Sequence, residues 1–214
     1  HEHEHEHDDK KGQDVHLFAV IRNPYDRVIS EYYCPWLGFQ AKYRKNVKKD
    51  KDPNDPQNLN QWVRRMVTKL QESLTEFNER TEEERESHKK EQKKGLNEDP
   101  YILAQKHYVN QAEYVYDGDK VVIKNVVHYE NLSKEFGELM QKYELDGVEL
   151  PPKGKSGTYT DTKNTKRLSY RDLRPEAIAL INEYAKKDFD QFGYKMVEKF
   201  EEGDEYNLEA KSID

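Results

Sequence analysis

The sequence predicts an α/β fold in which a parallel sheet is flanked by helices in three layers. Short apolar segments rich in β-branched and aromatic residues alternate along the chain with longer segments whose apolar residues recur at helical spacing. One apolar segment also runs directly into a helix start at residues 20–33, "VIRNPYDRVISEYY". The 214 residues fit one domain of ordinary size.

The first predicted unit is a strand, a turn and a helix. The strand covers 17–21, and Asn23 and Pro24 then favour a helix start, since Asn is a good N-cap and Pro is tolerated at the first helical position. One face of the predicted helix carries Tyr25, Val28, Ile29 and Tyr32. Arg22 therefore stands at the beginning of a helix, an arrangement that suits an anion.

Three further helices and two strands are predicted along the rest of the chain. A long amphipathic helix is predicted from Leu59, Trp62, Val63, Met66, Val67, Leu70, Leu74 and Phe77, and a shorter one from Leu132, Phe136, Leu139, Met140 and Tyr143. Between them, "EYVYD" and "KVVIKNVVHYE" are typical of strands joined at Gly118-Asp119. The last helix is marked by Ala177, Ile178, Ile181, Tyr184 and Phe192, and is predicted to end near Gly193.

Composition excludes several classes of protein. Hydrophobic residues make up 34% and charged residues 37% of the chain, and the net charge is −7. An acidic protein is not built to coat nucleic acid, so no nucleic-acid partner is predicted. Cys34 is the only cysteine, which excludes an internal disulfide. No apolar run approaches the roughly 20 residues that cross a bilayer, and no signal peptide is visible.

The domain organisation follows these patterns. Residues 1–14, which include "HEHEHEHDD", are interpreted as a disordered leader or tag. Alternating His and Glu could bind a divalent metal, but so regular a repeat fixes no single geometry, and no metal site is predicted. Residues 15–200 form the α/β domain with a charged helical insert at 42–98, and residues 201–214 form an acidic tail.

The segment "GKSGT", residues 154–158, is similar to part of a nucleotide-triphosphate loop. That loop requires a Gly five residues before the Gly of its Gly-Lys pair, so that consecutive backbone N–H groups surround the phosphates. Glu149 stands five residues before Gly154 and Gly147 is too early. No helical pattern begins at Ser156. The spacing therefore excludes a kinase or NTPase.

The sequence resembles a known family at four places. "IRNPYDRVISEYY" is similar to the Arg-x-Pro-x-x-Arg-x-x-Ser segment of the sulfotransferases, which binds the 3′-phosphate of 3′-phosphoadenosine 5′-phosphosulfate (PAPS). "DPYILAQKHYV", "VVHYENL" and "YRDLRPEAIALINEYAKKDFDQFGY" resemble further landmarks of carbohydrate and heparan-type members, in the expected order over residues 16–195.

The resemblance implies a P-loop-NTPase-like sulfotransferase architecture and assigns roles to individual residues. Arg22 and Ser30 would bind the 3′-phosphate, and the loop residues Lys155, Gly157, Thr158 and Tyr159 would lie over the nucleotide. Gln105 would lie near the acceptor. The family's phosphosulfate loop is expected well upstream of Arg22, so the chain is interpreted as N-terminally incomplete.

His16, the histidines of the leader and Glu130 are considered as the base that deprotonates the acceptor. A histidine side chain can take up a proton near neutral pH, but a His beside a strand, as His16 is, is also typical of a structural or surface position. Glu130 closes a predicted strand and could face the site, or it could serve in a helix-capping turn. The catalytic residue is therefore left open at this stage.

The predicted function is transfer of a sulfuryl group from PAPS to an acceptor hydroxyl, as carried by a carbohydrate in the related enzymes. Two alternatives stay open. One is a non-catalytic relative that binds a nucleotide or a glycan, and the other is a helical interaction protein using the charged residues 78–94. Family likeness places the protein in the Golgi lumen if it is eukaryotic and full-length, and otherwise in the cytoplasm.

Overall fold

A computed structural model describes residues 16–34, 39, 52–84, 86–87, 109–145, 147–151 and 167–201. Its main elements are, in chain order, β1 (Phe18–Ile21), α1 (Pro24–Tyr32), α2 (Pro56–Glu79), α3 (Ala112–Val115), β2 (Tyr116–Asp117), β3 (Lys120–Val121), β4 (Asn125–His128), α4 (Leu132–Lys142), α5 (Pro175–Tyr184) and α6 (Lys186–Phe192). The 3₁₀ turns Tyr129–Asn131 and Tyr170–Asp172 precede α4 and α5.

The sheet that positions the site is parallel. β1 pairs with β4 in a register that places Phe18 opposite Asn125 and Ile21 opposite His128. The carboxyl ends of the two strands therefore meet at one edge. Within the described residues this sheet has two strands, so the prediction of a mixed α/β fold with a parallel sheet is confirmed, and the three-layer arrangement stays a prediction.

A second, antiparallel pair joins β2 and β3 around the predicted Gly118-Asp119 connection. Gly118 has φ 61°, a left-handed conformation that glycine adopts without steric cost. The predicted strand "EYVYD" is helical in its first part, because α3 covers residues up to Val115. The carbonyl of Val115 accepts the N–H groups of Val122 and Ile123 at 2.8 and 3.2 Å. These two residues lie in the segment between β3 and β4.

The core lies between α1, α2 and α5. The apolar face predicted for α1 is buried, and α2 buries Leu59, Val63, Met66, Val67 and Leu70. α2 packs against α5 and α1, and these helices bury their apolar faces together with the side of the sheet that carries Ile21. A smaller cluster of Val127, Leu139 and Met140 fixes α4 against β4. The periods read from the sequence therefore identify the faces that pack.

The last helix differs from the prediction, because it consists of two helices that meet at Ala185. Ala185 leaves helical geometry with φ −96° and ψ 18°, although its N–H still bonds to Ile181 and its carbonyl accepts from Phe189. Alanine is the best helix former, so the sequence gives no sign of this break. α6 ends at Gly193, φ 70°, as predicted.

Candidate functional site

The candidate site lies where the parallel strands end. Arg22 and Asn23 follow β1, and Tyr129 and Glu130 follow β4. The parallel register brings these two pairs to the same edge of the sheet. In open α/β sheets, ligands bind outside the carboxyl ends of the strands, so this edge is the position that the topology favours for a ligand.

The entry into α1 is built from local and distant contacts together. Asn23 is the N-cap, and its Oδ1 accepts the N–H of Tyr25 at 3.0 Å. The N–H of Asn23 itself donates to Glu130 Oε1 at 2.6 Å, and Tyr194 donates its hydroxyl to Glu130 Oε2 at 3.2 Å. Glu130 therefore serves as a capping acid supplied by the neighbouring strand, the structural alternative considered for this residue.

Three backbone N–H groups at the entry to α1 are occupied. Those of Asn23 and Tyr25 have the acceptors just described, Pro24 has no N–H, and the N–H of Arg22 donates to Gln111 Oε1 at 2.8 Å. A free helix N-terminus binds anions through such groups. Because these three groups already have acceptors, the Arg22 guanidinium is the main candidate among the described groups for binding an anion.

Arg22 is half-buried, and its guanidinium lies over the ring of Tyr129, 4.4 Å from the ring centroid. Stacking of this kind stabilises the cation and fixes the plane of the fork. Its Nε is buried and has no hydrogen-bond partner among the described residues. A buried donor without an acceptor costs stability, and an incoming oxyanion would supply that acceptor.

Asp26 interacts electrostatically with both Arg22 and Glu130. Asp26, in the first turn of α1, has a raised pKa, mainly because burial penalises its charged form. The positive charge of Arg22 lowers this pKa, and the negative charge of Glu130 offsets part of that lowering. Protonation of Asp26 would leave Arg22 with less nearby negative charge. The electrostatics of the site therefore depend on pH through Asp26.

A second polar cluster lies behind Arg22. Gln111 Nε2 donates to the carbonyl of Arg22 at 2.7 Å and to Asp188 Oδ2 at 3.2 Å. Asp188, which is 1% exposed, also accepts the N–H of Ala112 at 2.8 Å and lies 3.7 Å from a guanidinium nitrogen of Arg27. Burial raises the pKa of Asp188, while these hydrogen bonds and Arg27 oppose the rise.

Comparison with known proteins decides the class of the chain. A model of the sulfotransferase family matches residues 1–195 of the 214. The chain belongs to the sulfotransferase family. The resemblance read from the sequence is thereby confirmed, the protein is a transferase, and membership implies a P-loop-like fold and PAPS as the sulfate donor. Searches of curated proteins and of solved structures gave no match.

Ser30, the second predicted phosphate ligand of this sulfotransferase, is exposed on α1. It lies on the polar face with Asp26 and Arg27, one helical turn beyond them. Six residues separate Ser30 from Pro24, which corresponds to about 9 Å along the helix axis. For one phosphate to contact both residues, the guanidinium of Arg22 would have to reach along α1 towards Ser30, and this joint role stays a prediction.

His16 lies at the opposite end of β1 from Arg22. Its ring stacks on Tyr143 with centroids 4.3 Å apart, and Tyr143 exchanges hydrogen bonds with Asn125 at the start of β4. Six residues of near-extended chain span roughly 20 Å. This position favours the structural alternative for His16, and the structure gives the role of base no support.

Several predicted residues of the sulfotransferase site lie outside the described residues. They are Gln105, Lys155, Gly157, Thr158 and Tyr159. The leader 1–14, part of the insert 42–98 and nearly all of the tail 201–214 lie there as well. Among the helices that the structure describes, none has the length and hydropathy to span a membrane.

Sequence reasoning missed the residues that hold Arg22 in place. Gln111 carried no signal, because it contacts Arg22 only through the tertiary fold. Tyr129 stood in the quoted landmark "VVHYENL", which gave no sign of its contact with Arg22. Asp188 and Tyr194 stood in the quoted ending "YAKKDFDQFGY", where their spacing marked the family without revealing a role. The structure shows that this ending supports the segment that follows β1.

Proposed function

We propose that this sulfotransferase transfers a sulfuryl group from PAPS to a hydroxyl of a carbohydrate, and that Arg22 and Ser30 bind the 3′-phosphate of the donor. The observation that carries the proposal is the buried Nε of Arg22, which has no hydrogen-bond partner among the described residues and lies at the carboxyl edge of the parallel sheet, in a chain of this family. The carbohydrate acceptor rests on the resemblance of the middle landmarks to carbohydrate-acting members.

Arg22 suits this role for three physical reasons. A guanidinium presents a planar fork that matches two phosphate oxygens, and stacking on Tyr129 limits the orientations of the fork. The low-dielectric surroundings strengthen its attraction to an anion. Since no described residue accepts a hydrogen bond from Nε, a phosphate oxygen would satisfy this buried donor without displacing any of those residues.

The remaining assignments rest on the resemblance. Lys155, Gly157, Thr158 and Tyr159 would cover the nucleotide, Lys155 by pairing with phosphate and Tyr159 by stacking. Gln105 would contact the acceptor.

In the transfer, the acceptor oxygen forms a bond to sulfur as the bond from sulfur to the 5′-phosphate oxygen breaks. The acceptor proton passes to a base that the described residues do not identify. The protein's part is chiefly to position the reactants and to stabilise charge.

The test measures sulfate transfer from labelled PAPS and the affinity for 3′-phosphoadenosine 5′-phosphate in Arg22→Ala. Charge-assisted hydrogen bonds are worth roughly 1.5–3 kcal/mol, so we expect affinity to fall about 10- to 100-fold. Arg64→Ala is the matched control, because Arg64 is an exposed arginine on α2, away from the site. Unchanged affinity in Arg22→Ala would refute the assignment of Arg22.

The acceptor is tested separately with a panel of glycans, tyrosine peptides and small phenols. We expect transfer to a glycan hydroxyl. Transfer to peptides or phenols alone would refute the carbohydrate part of the proposal and leave the donor site standing. Tight nucleotide binding with no transfer to any acceptor would instead support the non-catalytic alternative.

A further inference from the structure

The main chain of Arg22 is held by one distant side chain. The carboxamide of Gln111 accepts the N–H of Arg22 at 2.8 Å and donates to its carbonyl at 2.7 Å, although the two residues are 89 positions apart. Gln111 is 8% exposed. Two bonds to one residue from the same rigid amide fix both backbone dihedrals of Arg22, much as a neighbouring strand would.

The orientation of this carboxamide is set by Asp188. The nitrogen of Gln111 faces two acceptors, the Arg22 carbonyl and Asp188 Oδ2, and its oxygen faces the Arg22 N–H. A flipped amide would place its oxygen against both acceptors and its NH₂ against a donor. Only one orientation therefore satisfies all three neighbours.

Asp188 also connects this contact to other elements. It accepts the N–H of Ala112, the first residue of α3, so it fixes the residue that follows Gln111. It faces Arg27, whose guanidinium donates to the carbonyl of Val109 at 2.8 Å. Asp188 on α6 and Arg27 on α1 thus hold the chain on the two sides of Gln111.

We propose that Gln111 and Asp188 are positioning residues for the donor nucleotide, because they set the backbone of Arg22 and through it the direction of the guanidinium. This inference rests on the proposed role of Arg22. The stack on Tyr129 and the buried Nε fix where the guanidinium must point to meet a phosphate. When the backbone of Arg22 loses its contacts with Gln111, the Arg22 side chain is no longer held in that direction.

The first test is Gln111→Met, which keeps side-chain length and removes every hydrogen bond. We expect the dissociation constant of 3′-phosphoadenosine 5′-phosphate and the KM for PAPS to rise about tenfold, the loss that two ordinary hydrogen bonds imply. We expect kcat to fall less than about threefold, because donor binding is lost equally in the ground and transition states. A purely structural role would lower Tm without raising KM and the dissociation constant more than it lowers kcat.

The second test exchanges donor and acceptor. Gln111→Glu alone sets two carboxylates side by side, so we expect a larger loss of nucleotide affinity than in Gln111→Met. Combining Gln111→Glu with Asp188→Asn restores a donor facing an acceptor between these two positions, while the introduced carboxylate still faces the carbonyl of Arg22. We therefore expect the double variant to recover part of that loss, about tenfold, and not all of it. This pair decides the question even if Gln111→Met fails to fold.

The matched control breaks another contact between the same two helices. Glu113 and Lys187 form an exposed ion pair at 2.8 Å that joins α3 to α6 without touching Arg22. Glu113→Gln should leave nucleotide affinity unchanged, since exposed pairs contribute little.

Wild type and Arg22→Ala are measured in parallel, which separates the two proposals. If wild type binds the nucleotide and Arg22→Ala does not, the donor site stands, and the Gln111 variants test positioning alone. Gln111→Met with wild-type affinity, or a double variant with no recovery, would overturn the positioning role. Absence of nucleotide binding by wild type would overturn both proposals.

Discussion

At the scale of single residues, Asp26 shows how burial and charge compete beside a binding group. Its side chain lies in the first turn of α1, near both Arg22 and Glu130. Its pKa is raised, so burial and Glu130 together outweigh the attraction of Arg22. The folded protein therefore binds the Asp26 proton more tightly than the unfolded chain does.

We expect Asp26→Asn to stabilise the protein at neutral pH. A raised carboxyl pKa means that stability falls as pH rises from the usual value near 3.8 through the folded-state pKa. Asn lacks this charged form, so Asp26→Asn should raise the free energy of unfolding at pH 7 and leave it unchanged well below pH 4. Urea unfolding of both proteins across this pH range is the measurement, with the exposed Asp119→Asn as the control.

The same variant should also change the affinity for the nucleotide. Removing a carboxylate beside Arg22 should strengthen binding of 3′-phosphoadenosine 5′-phosphate at pH 7 and flatten the dependence of its affinity on pH. Weaker binding in Asp26→Asn would mean that Asp26 acts through a contact with the ligand rather than through repulsion.

At the scale of elements, α1 is the part of the site that sequence predicts best, because its signals are local. Asn23 and Pro24 set the start, and the buried face repeats every third or fourth residue. Gln111 and Asp188 could not be predicted, since each acts on residues more than 70 positions away. The break at Ala185 is also a tertiary effect, because nothing in the local sequence disfavours a helix there.

The cap of α1 gives a prediction at this scale. Asn23→Ala should destabilise the protein by about 1 kcal/mol, the usual worth of an N-cap side chain. Asn131→Ala is the matched control, since Asn131 precedes α4 in the same way, is exposed and makes no capping hydrogen bond. Denaturant unfolding measures both. Equal effects in the two variants would show that the Asn23 side chain contributes nothing as a cap.

At the scale of the whole molecule, α1, α2 and α5 form one core, and the site rests on it. Ile178 on α5 is fully buried in this core. α5 contacts both α1 and α2, so a cavity there weakens the support of the segment that carries Arg22. Stability and donor binding are therefore linked through packing.

We expect Ile178→Ala to cost about 2–5 kcal/mol, the range for truncating a large aliphatic side chain in a core. Leu145→Ala, at a site that is 48% exposed, should cost much less and serves as the control. Thermal unfolding compares the two. A small loss at Ile178 would mean that the core collapses around the cavity.

The pairing of β1 with β4 has a consequence for how the chain acquires its structure. Phe18 pairs with Asn125, and Glu130 accepts the N–H of Asn23 across 107 positions of sequence. During synthesis, the segment that carries Arg22 must emerge and remain unpaired until more than half of the chain has left the ribosome. Such high contact order predicts slow folding, and an exposed strand in the meantime is the region that chaperones would protect.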